Sequence, residues 1–174
     1  MIARPHVLTE RLDLRLPEAG DGQTIYEIIG DPETHRFLGP RESFTDHFSR
    51  FMRGAGSWLI YGYGFFMVRQ RGSEEVIGNC GIFHSWRGLG EDMDDGPEAG
   101  WILSADHTGK GYAREAMVAI LDWFDRTHGS RRVTAMIEPG NHASFALAAR
   151  LGFEEFRRTE KDGCEVVLLE RVPG

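Results

Sequence analysis

The sequence predicts one α+β domain built around a mixed sheet, and three observations support this class. The chain has 174 residues, which is the usual size of a single domain. Hydrophobic residues make up 41% of the chain and charged residues 27%, as in soluble globular proteins. Segments with the alternation of strands and segments with the spacing of helices follow one another without a repeat or a linker. We therefore expect residues 1–174 to form one domain.

The N-terminal half is expected to contain three strands and two helices. The predicted order is strand 11–16, helix 21–30, helix 43–53, strand 64–69 and strand 76–84. The first strand alternates apolar and charged residues, which is the period of a half-buried strand. Pro32 follows the first helix, and Gly54 and Gly56 are expected to end the second one. The last two strands are expected to form a hairpin around Gly72.

The C-terminal half is expected to contain four strands and two helices. The predicted order is strand 99–103, helix 111–128, strand 133–137, a helix between Asn141 and Gly152, strand 153–158 and strand 165–170. The helix over 111–128 is the clearest, because its apolar side chains recur at the spacing of one helical face. Asn141 is expected to cap the next helix and Gly152 to end it.

Composition excludes several classes of protein. The net charge of −7 disfavours nucleic acid as the main partner, because an acidic surface repels phosphates, and is compatible with a cationic substrate. Two cysteines, Cys80 and Cys164, are too few for a disulfide framework and indicate reduced thiols in a cytoplasmic protein. The N-terminal residues 1–6 do not have the apolar stretch of a signal peptide, and no segment has the length of a membrane span. No residues show metal-ligand spacing, so no metal and no membrane association are predicted.

The most informative segment, residues 98–116, joins a short apolar strand to the clearest helix. Gly109 and Gly111 let backbone amides come close to a ligand, and the helix N-terminus adds unpaired N–H groups and a partial positive charge. Lys110 and Arg114 add charges at the rim. These features together predict a pyrophosphate site. A tight turn between a strand and a helix is the alternative interpretation.

Three phosphate-binding motifs compete for this segment. A Walker A loop fails twice, because Ser104 replaces its first glycine and Gly111 follows the lysine where serine or threonine is required. A dinucleotide fingerprint fails at Arg114, which is too large for its third glycine position. The acetyl-CoA loop Q/R-x-x-G-x-G/A matches at Gly111 and Ala113 and departs at Thr108.

The chain resembles the GNAT superfamily of N-acetyltransferases, in the RimJ/RimL-like branch that includes ribosomal-protein N-terminal acetyltransferases. Four collinear stretches carry the resemblance: 8–15, 31–38, 99–116 with its G-K-G-Y-A-x-E-A run, and 138–153 with N-x-x-S and L-G-F. The resemblance implies an α/β/α sandwich with a mixed, mostly antiparallel central sheet that is splayed at the cofactor strands. It also implies acetyl-CoA as the cosubstrate.

The resemblance also implies which residues contact acetyl-CoA. They are Trp101, Ile102, Leu103, Ser104, Thr108, Gly109, Lys110, Gly111, Tyr112, Ala113, Arg114, Asn141 and Ser144. The strand 101–103 is expected to pair with the pantetheine arm like an added strand. The backbone N–H of Ile102 or Leu103 is a candidate to polarise the thioester carbonyl. The loop amides from Gly109 to Arg114 are expected to hold the pyrophosphate.

Two catalytic roles, a base and a donor to the leaving thiolate, have candidate residues. Glu98, at the start of the cofactor strand, is the first choice for the base that takes a proton from the amine, and Glu138 is the second. Ser144 is expected to donate a hydrogen bond or proton to the departing CoA thiolate. Many similar enzymes use a tyrosine one helical turn later, where this chain has Ala148. The structural alternatives are a surface carboxylate for Glu98 and a first-turn helix residue for Ser144.

The predicted reaction is direct attack of a primary amine on acetyl-CoA in a ternary complex. The acceptor is a protein N-terminus or a small-molecule amine, and a homodimer is possible from the family. The acidic run 91–95 is interpreted as a solvated loop that could also attract a cationic amine. Two alternatives stay open: a catalytically silent acyl-CoA-binding module and, less favoured, a dinucleotide-binding module.

Overall fold

One eight-stranded sheet organises the chain in the computed structural model, which describes residues 5–174. Residues 1–4, part of the stretch expected to carry no signal peptide, lie outside the described residues. The strands are β1 Val7–Leu8, β2 Leu12–Arg15, β3 Phe65–Gln70, β4 Val76–Ser85, β5 Gly96–Leu103, β6 Val133–Ile137, β7 Glu154–Lys161 and β8 Cys164–Arg171. The helices are α1 Asp21–Gly30, α2 Pro32–His35, α3 Phe44–Tyr61, α4 Tyr112–His128 and α5 His142–Arg150. No helix within residues 5–174 is both long and apolar enough to cross a bilayer.

The strand order is β1-β2-β3-β4-β5-β6-β8-β7, and every neighbouring pair is antiparallel except β5 with β6. This arrangement confirms the predicted mixed, mostly antiparallel sheet. The one parallel pair brings the carboxyl ends of β5 and β6 to the same edge of the sheet. The loops that follow the two strands, 104–111 and 138–141, therefore both begin at that edge.

The sheet opens between β5 and β6. The two strands are in register only at Glu98 with Thr134 and at Ala99 with Ala135. On its other side β5 stays paired with β4 along its whole length, from Gly96 to Leu103. The last four residues of β5 therefore have a strand partner on one side and an opening on the other, which confirms the predicted splay.

Helices cover both faces of the sheet. On one face α4 contributes Ala116, Met117, Ile120 and Phe124, all fully buried, to the main apolar core. On the other face α1 packs against β3 and β4 in a second, smaller core, through Ile25, Ile29, Met67 and Val76. The smaller core leaves room beside it for the cavity described below.

Helix α3 runs eight residues beyond its predicted end at residue 53. Gly54 and Gly56 lie inside it, and Gly62, with a left-handed φ of 76°, ends it instead. Two contacts hold the extra turns: Ser57 donates a hydrogen bond to the Tyr63 carbonyl at 2.7 Å, and Trp58 Nε1 donates to the Phe65 carbonyl at 2.9 Å. These contacts to Tyr63 and to the first residue of β3 offset the propensity cost of glycine in a helix.

Candidate active site

The N-terminus of α4 has no capping side chain. Gly109 and Gly111 have φ of 71° and 80°, and Gly111 occupies the N-cap position. The N–H of Thr108 bonds to the Ala105 carbonyl, and the N–H of Glu115 bonds to the Gly111 carbonyl. Between them, the N–H groups of residues 109–114 make no turn or capping hydrogen bond within the described chain. Six amides at a helix N-terminus therefore remain free to bind an anion.

Several side chains of this segment serve the protein's own structure. The Thr108 hydroxyl donates to the Ala105 carbonyl at 2.9 Å, and Ser104 Oγ lies 2.7 Å from His107 Nδ1. The Tyr112 ring is buried in the main core. What these residues can offer to acetyl-CoA is therefore mainly their backbone. Lys110 and Arg114 are exposed and supply the local positive charge.

Arg11 supports the glycine loop from a distant part of the chain. Its Nη1 donates to the Lys110 carbonyl at 2.9 Å, and its Nε donates to Glu115 Oε2 at 2.6 Å. Its guanidinium also lies 4.5 Å from the centroid of the Tyr112 ring. Sequence reasoning did not find this residue, because about a hundred positions separate it from the loop and no local pattern links the two.

The opposite rim of the opening is formed by the start of α5. Asn141 is the N-cap, as predicted, and its Oδ1 accepts from the Ser144 N–H at 3.2 Å. Trp101 Nε1 donates to Ser144 Oγ at 3.2 Å and so links β5 to α5. The Ser144 hydroxyl proton has no acceptor within the described chain. Ala148, at the position of the tyrosine in similar enzymes, is fully buried.

The direction of the β5 amides distinguishes the two oxyanion candidates. Ser104 N–H donates to the Ile77 carbonyl, toward β4, at 2.8 Å. Hydrogen-bonding direction alternates along a strand, so the N–H of Ile102 also points toward β4. The N–H groups of Trp101 and Leu103 point toward the opening. Of the pair considered from sequence, Leu103 is therefore the one directed at the splay.

Glu98 lies deep in the wall of the site and is already paired. It is 2% exposed, and its two carboxylate oxygens accept from Arg87 Nε and Nη2, each at 2.7 Å. This bidentate ion pair raises the pKa of Arg87 although burial alone would lower it. Such a pair fixes the orientation of the carboxylate, and each oxygen keeps a second lone pair for another donor.

A cavity of about 390 Å³ lies between the sheet and α1 and α3, and it extends to the opening. Its lining includes a group of aromatic and apolar side chains: Phe37, Phe51, Phe65, Met67 and Phe83. Glu98, Glu138 and Ser144 line the same cavity, and Glu98 is the cross-strand neighbour of Phe83. Glu138 makes no hydrogen bond or ion pair with another side chain of residues 5–174. The cavity thus brings both predicted carboxylates and the predicted serine to one space.

The acidic run 91–95 that precedes β5 is largely exposed and is anchored to the protein by Met93 and Asp94. Met93 is 1% exposed, and Asp94 accepts from the backbone N–H groups of Arg87, Gly88 and Gly90. The Arg157 guanidinium binds Asp92 and lowers the pKa of that carboxyl. Glu91, Asp92 and Asp95 are exposed, as expected for a solvated loop, whereas Met93 is buried and Asp94 is half-buried.

Comparison with known proteins identifies the family. Residues 11–154 match the family described as the acetyltransferase (GNAT) domain. The chain belongs to the GNAT acetyltransferases. Members of this family use acetyl-CoA, so the chain is an acetyl-CoA-dependent acyltransferase, as the sequence predicted.

Individual relatives agree with this assignment of the GNAT family. A protein from Bacillus licheniformis named uncharacterized N-acetyltransferase p20 is 29% identical over 151 residues, which are 84% of this chain and 81% of that protein. A Bordetella pertussis protein assigned to the GnaT acetyltransferases is 32% identical, with a TM-score of 0.86 over 97% of this chain and 100% of the other. RimL, a ribosomal L7/L12 α-N-protein acetyltransferase solved with coenzyme A, shares the fold, with a TM-score of 0.75 at 15% identity over 97% of this chain and 98% of the other. The predicted likeness to the RimJ/RimL branch is thus confirmed at the level of fold.

Proposed function

We propose that this GNAT enzyme transfers the acetyl group of acetyl-CoA to a primary amine, either a protein N-terminus or a small-molecule amine. The observation that carries the proposal is the uncapped N-terminus of α4, with six free amides at residues 109–114, beside the opening between β5 and β6. That opening joins the cavity that holds Glu98, Glu138 and Ser144. A phosphate site and an acceptor site thus meet at the point where the sheet parts.

The cofactor side of the proposed site follows from these contacts. Acetyl-CoA supplies the activated thioester when it binds. The amides of residues 109–114 would hold its pyrophosphate, with Lys110 and Arg114 at the rim. The Leu103 N–H would donate toward the thioester oxygen, and Asn141 would contact the pantetheine arm.

The reaction requires a proton acceptor for the amine and a donor for the leaving thiolate. We keep Glu98 as the proposed base, because Arg87 fixes its carboxylate in the cavity wall while a lone pair on each oxygen remains available. Ser144 is the proposed donor, because its oxygen already accepts from Trp101 and its proton is free to reach the sulfur.

Direct attack in a ternary complex is favoured over a covalent acetyl-enzyme. Cys80 is fully buried, and burial raises the pKa of its thiol to about 12, so it does not supply a thiolate at neutral pH. Cys164 is half-buried and lines the cavity, but it lies in no motif that would activate it. We expect a Cys164→Ser variant to keep the wild-type kcat.

Release of free thiol from acetyl-CoA tests the proposed function. The acceptors would be N-terminal peptides, polyamines, amino acids, amino acid amides, arylalkylamines and aminoglycosides, each against a blank without amine. We expect amine-dependent release with at least one class. Release with none, together with thermal stabilisation by acetyl-CoA, would favour the silent acyl-CoA-binding module. Stabilisation by NAD in place of acetyl-CoA would favour a dinucleotide-binding module. A homodimer and a cytoplasmic location stay predictions.

A further inference from the structure

Asn79, in the middle of β4, has a buried side chain that makes no hydrogen bond within the described residues. It is 7% exposed, and its Oδ1 atom is fully buried and unpaired. The other deeply buried polar side chains of this region are paired, such as His47 with the Gly22 carbonyl at 2.9 Å and Glu98 with Arg87. Buried polar atoms are rarely left without a partner, so an unpaired amide at this place requires an explanation.

The location of Asn79 indicates where its partner would come from. Asn79 lines the cavity, and its cross-strand neighbours are Met67 on β3 and Ile102 on β5. Cross-strand neighbours share a face of the sheet, and neither of these side chains has a donor for the Asn79 carbonyl oxygen. Among residues 5–174, two other buried side-chain atoms lack a partner, Arg69 Nε and Ser85 Oγ, and neither residue lines this cavity.

The space beside Asn79 is shaped by aromatic rings. Phe65 and Phe83 stack with their centroids 4.5 Å apart. Gly100 lies next to them on β5, and a Cβ added there would be 3.3 Å from both rings. The cavity here therefore combines an apolar, ring-lined surface with one unsatisfied amide group. Such a site fits a ligand with an apolar body and a polar group at one end.

We propose that the Asn79 amide binds the amine acceptor through a carboxamide group next to the reacting amine, an inference that rests on the proposed function. A half-turn of the terminal amide exchanges the oxygen and nitrogen positions of asparagine, so the side chain can present either N–H donors or its carbonyl to an amide of the substrate. The first residue of a peptide carries such a group beside its amine, whereas a simple alkylamine does not. Asn79 thus makes the enzyme selective for α-amino amides.

Two matched acceptors test this proposal. L-phenylalaninamide and 2-phenylethylamine differ only by the carboxamide on the carbon that bears the amine. The two amines differ in basicity, so the informative quantity is the change in the ratio of their kcat/KM values between enzyme variants. We expect Asn79→Val to lower the ratio of kcat/KM for L-phenylalaninamide to that for 2-phenylethylamine about tenfold or more. Threonine has the shape of valine but carries a hydroxyl, so Asn79→Thr should keep part of this preference.

Three controls separate binding from folding. Ser85→Ala removes another unpaired buried oxygen of β4, outside the cavity, and should leave the ratio unchanged. The melting temperature of Asn79→Val should equal or exceed that of the wild type, because an apolar side chain at this place leaves no polar atom unpaired. The KM for acetyl-CoA should not change in either Asn79 variant.

Several outcomes would overturn the proposal. Each of three results would show that Asn79 does not bind the carboxamide. They are an unchanged ratio in Asn79→Val, a rise in the KM for acetyl-CoA alone, and a lower melting temperature with an equal loss of activity for both amines. If the wild type acetylates other amines but neither of these two, the Asn79 proposal is wrong and the proposed function stands. If it acetylates no amine at all, both fail.

Discussion

Ser144 has its oxygen engaged by Trp101 and its hydroxyl proton free, which is the arrangement a hydrogen-bond donor to a thiolate requires. The sequence placed this residue three positions after Asn141, as the N-x-x-S pattern suggested, and the structure brings it to the cavity. The contact with Trp101 could not be predicted, because it joins residues 43 positions apart. Residue types were thus predictable from motifs, whereas their partners depended on the fold.

We predict that Ser144→Ala lowers kcat about tenfold or more and leaves the KM for acetyl-CoA close to that of the wild type. The physical reason is that the hydroxyl stabilises charge on the leaving sulfur, which develops during the reaction and is absent in the bound ground state. Steady-state kinetics with the best amine would measure this. Ser144→Thr keeps the hydroxyl and is the matched control. A Ser144→Ala enzyme with full kcat would rule out the role.

Glu98 and Glu138 offer a second comparison at the scale of single residues. Both line the cavity, but Glu98 is held by Arg87 while Glu138 has no side-chain partner in the described chain. We predict that Glu98→Gln lowers kcat/KM about tenfold or more near pH 7, because the amine then has no nearby proton acceptor. The loss should shrink as the pH rises toward the pKa of the amine, since an amine that is already deprotonated needs no base. Glu138→Gln should keep the wild-type profile.

Profiles of kcat/KM against pH decide between the two carboxylates. The shape of the profile is the useful readout, because Glu98→Gln also leaves Arg87 without its charged partner and can lower activity through folding alone. Melting temperatures of both variants account for that effect. A loss that shrinks with rising pH in Glu138→Gln, with a wild-type profile in Glu98→Gln, would transfer the role to Glu138.

At the scale of elements, the N-terminus of α4 is the feature on which acetyl-CoA binding depends. Gly111 is its N-cap, with φ 80° and ψ 4°, and Gly20 occupies the equivalent left-handed N-cap position of α1, with φ 96° and ψ −25°. We predict that Gly111→Ala raises the KM for acetyl-CoA roughly tenfold, because the added Cβ strains a loop whose amides must converge on phosphate. Isothermal titration with CoA would measure the same loss directly.

Gly20→Ala is the matched control for this prediction. It introduces comparable backbone strain at a helix N-terminus with open space around it, but far from the loop at residues 109–114. It should lower stability by about 1–2 kcal/mol and leave the affinity for CoA unchanged. Equal loss of CoA affinity in the two variants would mean that the effect comes from general destabilisation.

Glu115 ties the first turn of α4 to the corner before β2. Its carboxylate accepts from the Thr9 hydroxyl at 2.6 Å and from the Arg11 N–H at 2.8 Å. Burial alone would raise its pKa, but these hydrogen bonds and the Arg11 charge outweigh burial and lower the pKa. A carboxylate with a lowered pKa stabilises the fold above its unfolded-state pKa and loses this contribution as the pH falls through its folded-state pKa.

We therefore predict that Glu115→Gln reduces the free energy of unfolding by about 1–2 kcal/mol at pH 7. The difference from the wild type should shrink as the pH falls through the ordinary range of glutamate and below it. Denaturant titrations at neutral and acidic pH would measure both values. The exposed neighbour Glu10, changed to Gln, should show no such effect. A difference that does not depend on pH would contradict the assignment to charge.

Helix α3 shows where sequence patterns misjudge an element. Its predicted end rested on Gly54 and Gly56, which are poor helix formers, and the observed helix continues to Tyr61. The hydrogen bonds from Ser57 to Tyr63 and from Trp58 to Phe65 outweigh the poor helix propensity of the two glycines. These bonds exist only after the residues that follow the helix have folded back against it. In contrast, α1 and α4 were predicted closely, because their apolar faces are continuous and their ends have clear signals.

At the scale of the whole molecule, the fold could be predicted from collinear motifs, but the acceptor cavity could not. The motifs fall on the cofactor strands and helices, whose positions follow from the shared chemistry of acetyl-CoA. The cavity is lined by α1, α3 and the sheet face between them, and the lack of a partner for Asn79 could not be recognised from the sequence.

The distribution of charge is also a property of the whole molecule. The net charge of −7 coexists with a cationic rim at Lys110 and Arg114, and acids such as Asp92 are bound to nearby arginines.

The measurement that tests the central claim most directly is product analysis by mass spectrometry. The wild-type enzyme would be incubated with acetyl-CoA and the amine that gives the fastest thiol release. We predict one N-acetylated amine for each CoA released and no acetyl group on the protein. Thiol release without an acetylated amine, or an acetyl group retained on the chain at Cys164, would contradict direct transfer to an amine at this site.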